Sequence, residues 1–83
     1  MYRLTYNIYE RAGAFSGTHV QARDGLVDLL NEYYPHCTTE AVEVEVKYKP
    51  RNGVRIYSKY IETGHILNHQ QKKVGHYTIK LVK

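Results

Sequence analysis

Five histidines and a single cysteine are the residues of this 83-residue chain best suited to hold a metal or carry a proton. His65 and His69 share a face only if their segment is helical. Gly64 and the polar run Asn68-His69-Gln70-Gln71-Lys72-Lys73 argue against a helix there. His36 and Cys37 are adjacent, so in an extended chain they point in opposite directions. Zinc sites ordinarily show paired cysteines or further ligands at regular spacing. A nucleophilic Cys37 would need an oriented histidine. His19 and His76 could work as an acid–base pair if brought together, but residue type alone speaks for it. Asp24 and Asp28 stand one helical turn apart, Asp24 serving better as a helix cap, and no carboxylate pair for magnesium is present. AGAFSG (12–17) lacks the lysine and spacing of a phosphate loop. The expectation is a protein without catalytic residues, metal or cofactor.

Binding chemistry is better represented. The stretch VEVEVKYKPRNGVRIYSKYI (42–61) alternates apolar and charged side chains on both sides of a turn. The side opposite its apolar face carries cations and tyrosine. The candidate partner-binding residues are Lys47, Lys49, Arg51, Arg55, Tyr57 and Lys59, with His76 and Lys80 from the last strand. Rings between cations suit a single-stranded nucleic acid, because bases stack on the rings and phosphates meet the charges. The aromatic signature of the common sheet-type RNA platform is missing. The same basic hairpin could enter a duplex groove as a ribbon or dock on an acidic protein surface.

Charge is unevenly spread. Residues 1–46 carry three arginines against seven carboxylates, whereas residues 47–83 carry nine cations against Glu62 alone, for a net charge of +4. Such a basic half points to an anionic partner: an acidic protein surface, a nucleoprotein complex, RNA or single-stranded DNA. Nine tyrosines against one Phe and no Trp suit half-wet sheet positions and contact surfaces equally.

The elements that must position these residues follow from periodicity. Tyr2–Tyr9 alternates strictly and reads as a half-buried strand, with Tyr9 on its outer side. The segment 10–17 reads as a turn and Thr18–Ala22 as a short strand with Val20 and Ala22 inward. A helix capped by Asp24 carries Leu26, Val27, Leu29, Leu30, Tyr33 and Tyr34 on one side and stops at Pro35. Strand Ala41–Lys49 then turns through Arg51-Asn52-Gly53. A three-residue bulged turn pairs Tyr48 with Ile56, Val46 with Ser58 and Val44 with Tyr60, which keeps lysine off the core face. The segment 62–73 reads as a loop and Val74–Val82 as the last strand, exposed enough to pair edge to edge with another copy. The sum is one α+β domain, residues 1–83. It is an antiparallel sheet of four or five strands with one helix on one face, in the order strand-strand-helix-strand-strand-strand.

The N-terminus shows no basic-then-apolar signal segment, no apolar run reaches membrane-spanning length, and a lone cysteine suits a reducing compartment. The expected location is the cytoplasm.

Tyr2–Tyr9, HVQARDGLVDLLNEYYP and AVEVEVKY together resemble a design common among small phage-encoded inhibitors, some anti-CRISPR proteins among them. There, a hairpin leads through a V-x-A-x-D entry into one helix and back to the sheet. The resemblance covers about the first half of the chain. It implies a stoichiometric inhibitor acting by surface contact in the host cytoplasm, without turnover, and transfers no functional residue. Many such inhibitors are acidic mimics of nucleic acid; this chain departs from them in its basic second half.

Overall fold

The computed structural model describes residues 1–82, and of Arg55 the backbone alone. Five strands and one helix follow one another as β1 (Tyr2–Ile8), β2 (Arg11–Gly17), α1 (His19–Tyr33), β3 (Thr38–Arg51), β4 (Val54–Leu67) and β5 (Lys73–Leu81). The strands form one antiparallel sheet in the order β2-β1-β5-β4-β3. The fold is therefore α+β, as the alternation predicts. The chain's last strand lies in the middle of the sheet, so the edges are β2 and β3 and not β5.

The helix begins earlier than Asp24. Thr18 is the N-cap: its hydroxyl accepts from the Gln21 N–H at 3.1 Å, while the Gln21 side chain accepts from the Thr18 N–H at 3.0 Å. This reciprocal pair satisfies two orphan donors at once, which an isolated carboxylate at position 24 cannot match. Starting there makes Ala22, Leu26 and Leu30 one buried stripe at i, i+4, i+8, and leaves Val20 exposed. The residues read as a second strand are thus the first turn of α1. The segment read as a turn is mostly β2, joined to β1 by a tight turn at Tyr9–Glu10.

α1 packs over β2, β1 and β5. The core between them is Leu4, Ile8, Ala22, Leu26, Leu30, Tyr60, Ile66, Tyr77 and Ile79. Burial of the leucine and isoleucine side chains, about 1.5–3 kcal/mol each, holds the body together. β4 runs on through the supposed loop to Leu67, because Tyr60, Glu62, Gly64 and Ile66 alternate into this core. Gly64 is required there, since the Tyr77 ring lies where a Cβ would stand.

The β3–β4 turn has two residues, not three. Arg51 pairs with Val54, and both Asn52 and Gly53 have positive φ (53° and 76°), the geometry that Asn-Gly adopts with least strain. Lysine is kept off the core face by a different device. A bulge between Lys47 and Tyr48 makes Tyr48 face Tyr57 but Lys47 face Lys59, and moves Val46 opposite Tyr60. One extra residue on β4 reverses its alternation midway.

Beyond residue 60 in the direction of the turn, β4 has no neighbour but β3, since its pairing with β5 covers Ile61–Leu67. Val54–Tyr60 and the facing part of β3 therefore form a two-stranded arm of about 20 Å. The molecule is correspondingly long, 46 × 20 × 18 Å.

Candidate functional site

The sheet face away from α1 is ordered in cross-strand rows. Ser16, Arg3, Lys80, Ile61 and Glu45 make one row. Ala14, Thr5, Thr78, Thr63 and Glu43 make the next, and Ala12, Asn7, His76, His65 and Glu40 the third. Toward the arm the same face continues with Lys47 opposite Lys59, then Lys49 opposite Ile56 and Arg51 opposite Val54.

The structure thus brings Lys47, Lys49, Arg51 and Lys59 onto one face of the arm, with Lys80 and Arg3 beginning the body behind them. Like charges directly opposite repel. Lys59 relieves this by bonding diagonally to Glu45 Oε1 at 2.9 Å, which holds the Glu45 carboxyl below its ordinary range through that hydrogen bond and the lysine's charge. Both partners are exposed, so the pair adds little stability. His76 shares the face but stands two rows from Lys80, paired with His65, and joins no cation cluster. Arg55 pairs through its backbone with Pro50, and its side chain lies outside the described residues.

Tyr57 is not on this face. Its ring lies 5.0 Å from that of Tyr48 and 5.9 Å from that of Tyr60, which is in the core on the helix side. The bulge carried it across, because residues before and after an inserted residue exchange faces. Tyr9 is also off the open face, its ring 5.8 Å from that of Tyr34 at the end of α1. The arm consequently has two unlike faces: cations with Ile56 and Val54 on one, and Tyr48 and Tyr57 continuing Val44 and Val46 on the other. Val44, Tyr48 and Tyr57 are all exposed there, since α1 does not reach the arm.

A second polar group was not legible as a site. Glu62 is 2% exposed beneath α1. Tyr60 donates to its Oε1 and Tyr77 to its Oε2, each at 2.7 Å, and Arg23 reaches the same Oε1 from the helix. Burial works to raise the Glu62 pKa, but the Tyr77 and Tyr60 hydrogen bonds and the Arg23 charge prevail and hold it below the ordinary carboxylate range. Burial, reinforced by these bonds to Glu62, pushes Tyr60 up to about 12 and Tyr77 higher still. His19 packs edge-on against Tyr60 and Tyr2, at 4.8 and 5.2 Å between ring centroids. The carboxylate is saturated with donors and closed to solvent, so the cluster joins helix to sheet and offers nothing to a substrate. The signal for it was the period-two placement of Glu62 between Tyr60 and Gly64.

His19 and His76 lie on opposite faces of the sheet, which separates the pair considered for acid–base work. Rings of His36 and His69 approach to 6.0 Å. Among the described residues no group of three or more His, Cys, Asp or Glu could hold a metal ion, and no helix is long and apolar enough to cross a membrane. Comparison with protein-family models, with curated proteins and with solved structures returns no match.

Proposed function

We propose that this chain is a non-enzymatic binding module of the small phage-inhibitor, anti-CRISPR-like kind, working in the host cytoplasm by surface contact with an acidic protein or nucleoprotein target. The observation that carries the reading is the arm. It extends past the helix-covered body with Lys47, Lys49, Arg51 and Lys59 on one face and Tyr48 and Tyr57 on the other. Cations speed encounter with an acidic surface, and large rigid tyrosines supply the contact that resists dissociation. A single nucleic-acid strand needs rings and cations on one face, and here they lie on opposite faces. The row of cations alone favours the second reading, RNA or single-stranded DNA bound through its phosphates.

The test is anisotropy titration of labelled single-stranded RNA, single-stranded DNA and duplex DNA from low to physiological salt. Under this proposal binding is weak and disappears by ~150 mM salt, as generic charge attraction does. Sub-micromolar binding that survives at that salt replaces it with the second reading. In parallel, partner capture by the wild-type chain is to be lost in Tyr48→Ala and kept in Lys80→Ala; the reverse pattern rejects the arm as the contact element.

A further inference from the structure

At the end of the sheet opposite the arm, the last turn of α1 and the β1–β2 turn enclose an open hollow of about 690 Å³. It is lined by Tyr6, Tyr9, Arg11, Leu29, Tyr33 and Tyr34, with Ala12. We propose that this hollow binds a nucleoside monophosphate, its base against the tyrosine rings and its phosphate on Arg11.

Four of the nine tyrosines converge here around one guanidinium, and no carboxylate lines the hollow. Among the described residues Arg11 has no ion pair, and the Tyr6, Tyr9, Tyr33 and Tyr34 hydroxyls have no hydrogen-bond partner. The lining thus presents a fork of N–H donors and four phenolic groups, all unused by the fold. An unpaired arginine selects an anion and suits phosphate through paired parallel bonds. The rings select a planar group, since every base has a face that stacks on an aromatic side chain. A hollow of this size lies within the range that encloses small ligands. A phosphate ester joined to a base uses both halves of this lining; a simple carboxylate leaves most of the donors idle.

Two further features border the hollow. The Tyr6 ring lies across Gly13, on the strand opposite, where a Cβ would displace it. Tyr9 and Glu10 both sit at positive φ (48° and 68°), a conformation that a bulky residue avoids. The turn at Asn52-Gly53 occupies the same region with residues suited to it. Strained backbone held at the rim of a cavity is a mark of binding sites, and here it presents the Tyr9 ring beside that of Tyr34. The site is independent of whatever the arm contacts.

The experiment is a ¹H–¹⁵N correlation titration of the whole chain with AMP, GMP, CMP and UMP, with adenosine and inorganic phosphate as controls. Saturable shifts are expected at the amides of Tyr6, Arg11, Leu29, Tyr33 and Tyr34, with a nucleotide affinity above that of either control. Arg11 and Tyr33 are exposed, so Arg11→Gln and Tyr33→Ala keep the remaining spectrum while each loosens binding about tenfold, the scale of one charge-assisted or stacking contact. The proposal is overturned by any of four results: no saturable shift at millimolar nucleotide, equal binding of phosphate or of adenosine alone, shifts centred on Lys47–Lys59, or indifference to Arg11→Gln.

Discussion

Tyr77 donates its hydroxyl to Glu62 Oε2 at 2.7 Å, from β5 to the neighbouring β4, in the dry layer under α1. Tyr60 meets the other oxygen and Arg23 reaches it from the helix, so three elements share one buried charge. A buried carboxylate stripped of a donor loses more than the bond, because its own desolvation is then uncompensated. Tyr77→Phe removes the donor without altering the ring packed over Gly64. It should cost about 1–3 kcal/mol in urea unfolding. Tyr77→Phe combined with Glu62→Gln should cost less than the two separately. Strict additivity would show that the two side chains do not interact.

The same cluster sets how stability responds to pH. Glu62 has a folded pKa below its unfolded value, so its contribution is present above the ordinary carboxylate range, about 4.3, and is lost as pH falls through the folded value. Tyr60 is shifted the opposite way, to about 12, with Tyr77 higher. Their contributions are whole below the unfolded phenol value of about 10 and decline as pH rises through the folded values. These three groups should therefore make urea midpoints fall at both extremes of pH. Glu62→Gln should blunt the acid limb. An acid limb unchanged in that variant would place the responsible carboxylate elsewhere.

Helix initiation gives a direct contest between two residues. With Thr18 as the cap, Thr18→Ala should cost about 1 kcal/mol. Asp24, exposed and in the helix interior, should tolerate alanine with little change or a small gain from better helix propensity. Thermal unfolding of the two variants measures both. Equal losses would mean that residues 19–23 contribute nothing as helix.

These cases show what was legible in the sequence. Alternation in Tyr2–Tyr9, Ala41–Lys49 and Val74–Val82, with the stripe ending at Pro35, was sufficient for an antiparallel sheet under one helix. The helix start was misread because Thr18 and Val20 are strand formers spaced by two, and the capping partner of Thr18 is Gln21, inside that same run. The arm's faces were misread because a bulge is a tertiary device: it leaves no mark in composition, yet moves Tyr57 from the basic face to the helix side. Glu62 read as loop because a carboxylate in a core makes sense only once Tyr60, Tyr77 and Arg23 are known to reach it. Lys47, Lys49 and Lys59 share a face as alternation predicts, because β3 keeps its period of two through the bulge and Lys59 lies on its body side, whereas Arg51, expected in the turn, pairs with Val54 on that same face. The aromatic hollow was missed because its residues come from three elements, and the strain at Tyr9–Glu10 is a property of backbone angles alone.

That strain leads to the last prediction. A left-handed conformation costs an L-residue other than Gly, Asn or Asp roughly 1–2 kcal/mol. Glu10 makes no hydrogen bond or ion pair with another described residue to offset it. Glycine adopts φ near +68° freely, at the expense of a more flexible unfolded chain. Glu10→Gly should therefore stabilise the protein by about 0.5–1 kcal/mol, a rise of about 4–8 °C per kcal/mol in Tm for a domain of this size. Gly53→Ala, at a position of equal φ sign but already optimal, should do the reverse. Tyr9→Asn is the sharper variant: it relieves strain at Tyr9 but deletes the ring against Tyr34, worth about 0.5–1.5 kcal/mol, so stability should change little. Differential scanning calorimetry of the three variants decides the matter. A loss of stability in Glu10→Gly would mean that the turn is held by contacts stronger than its strain.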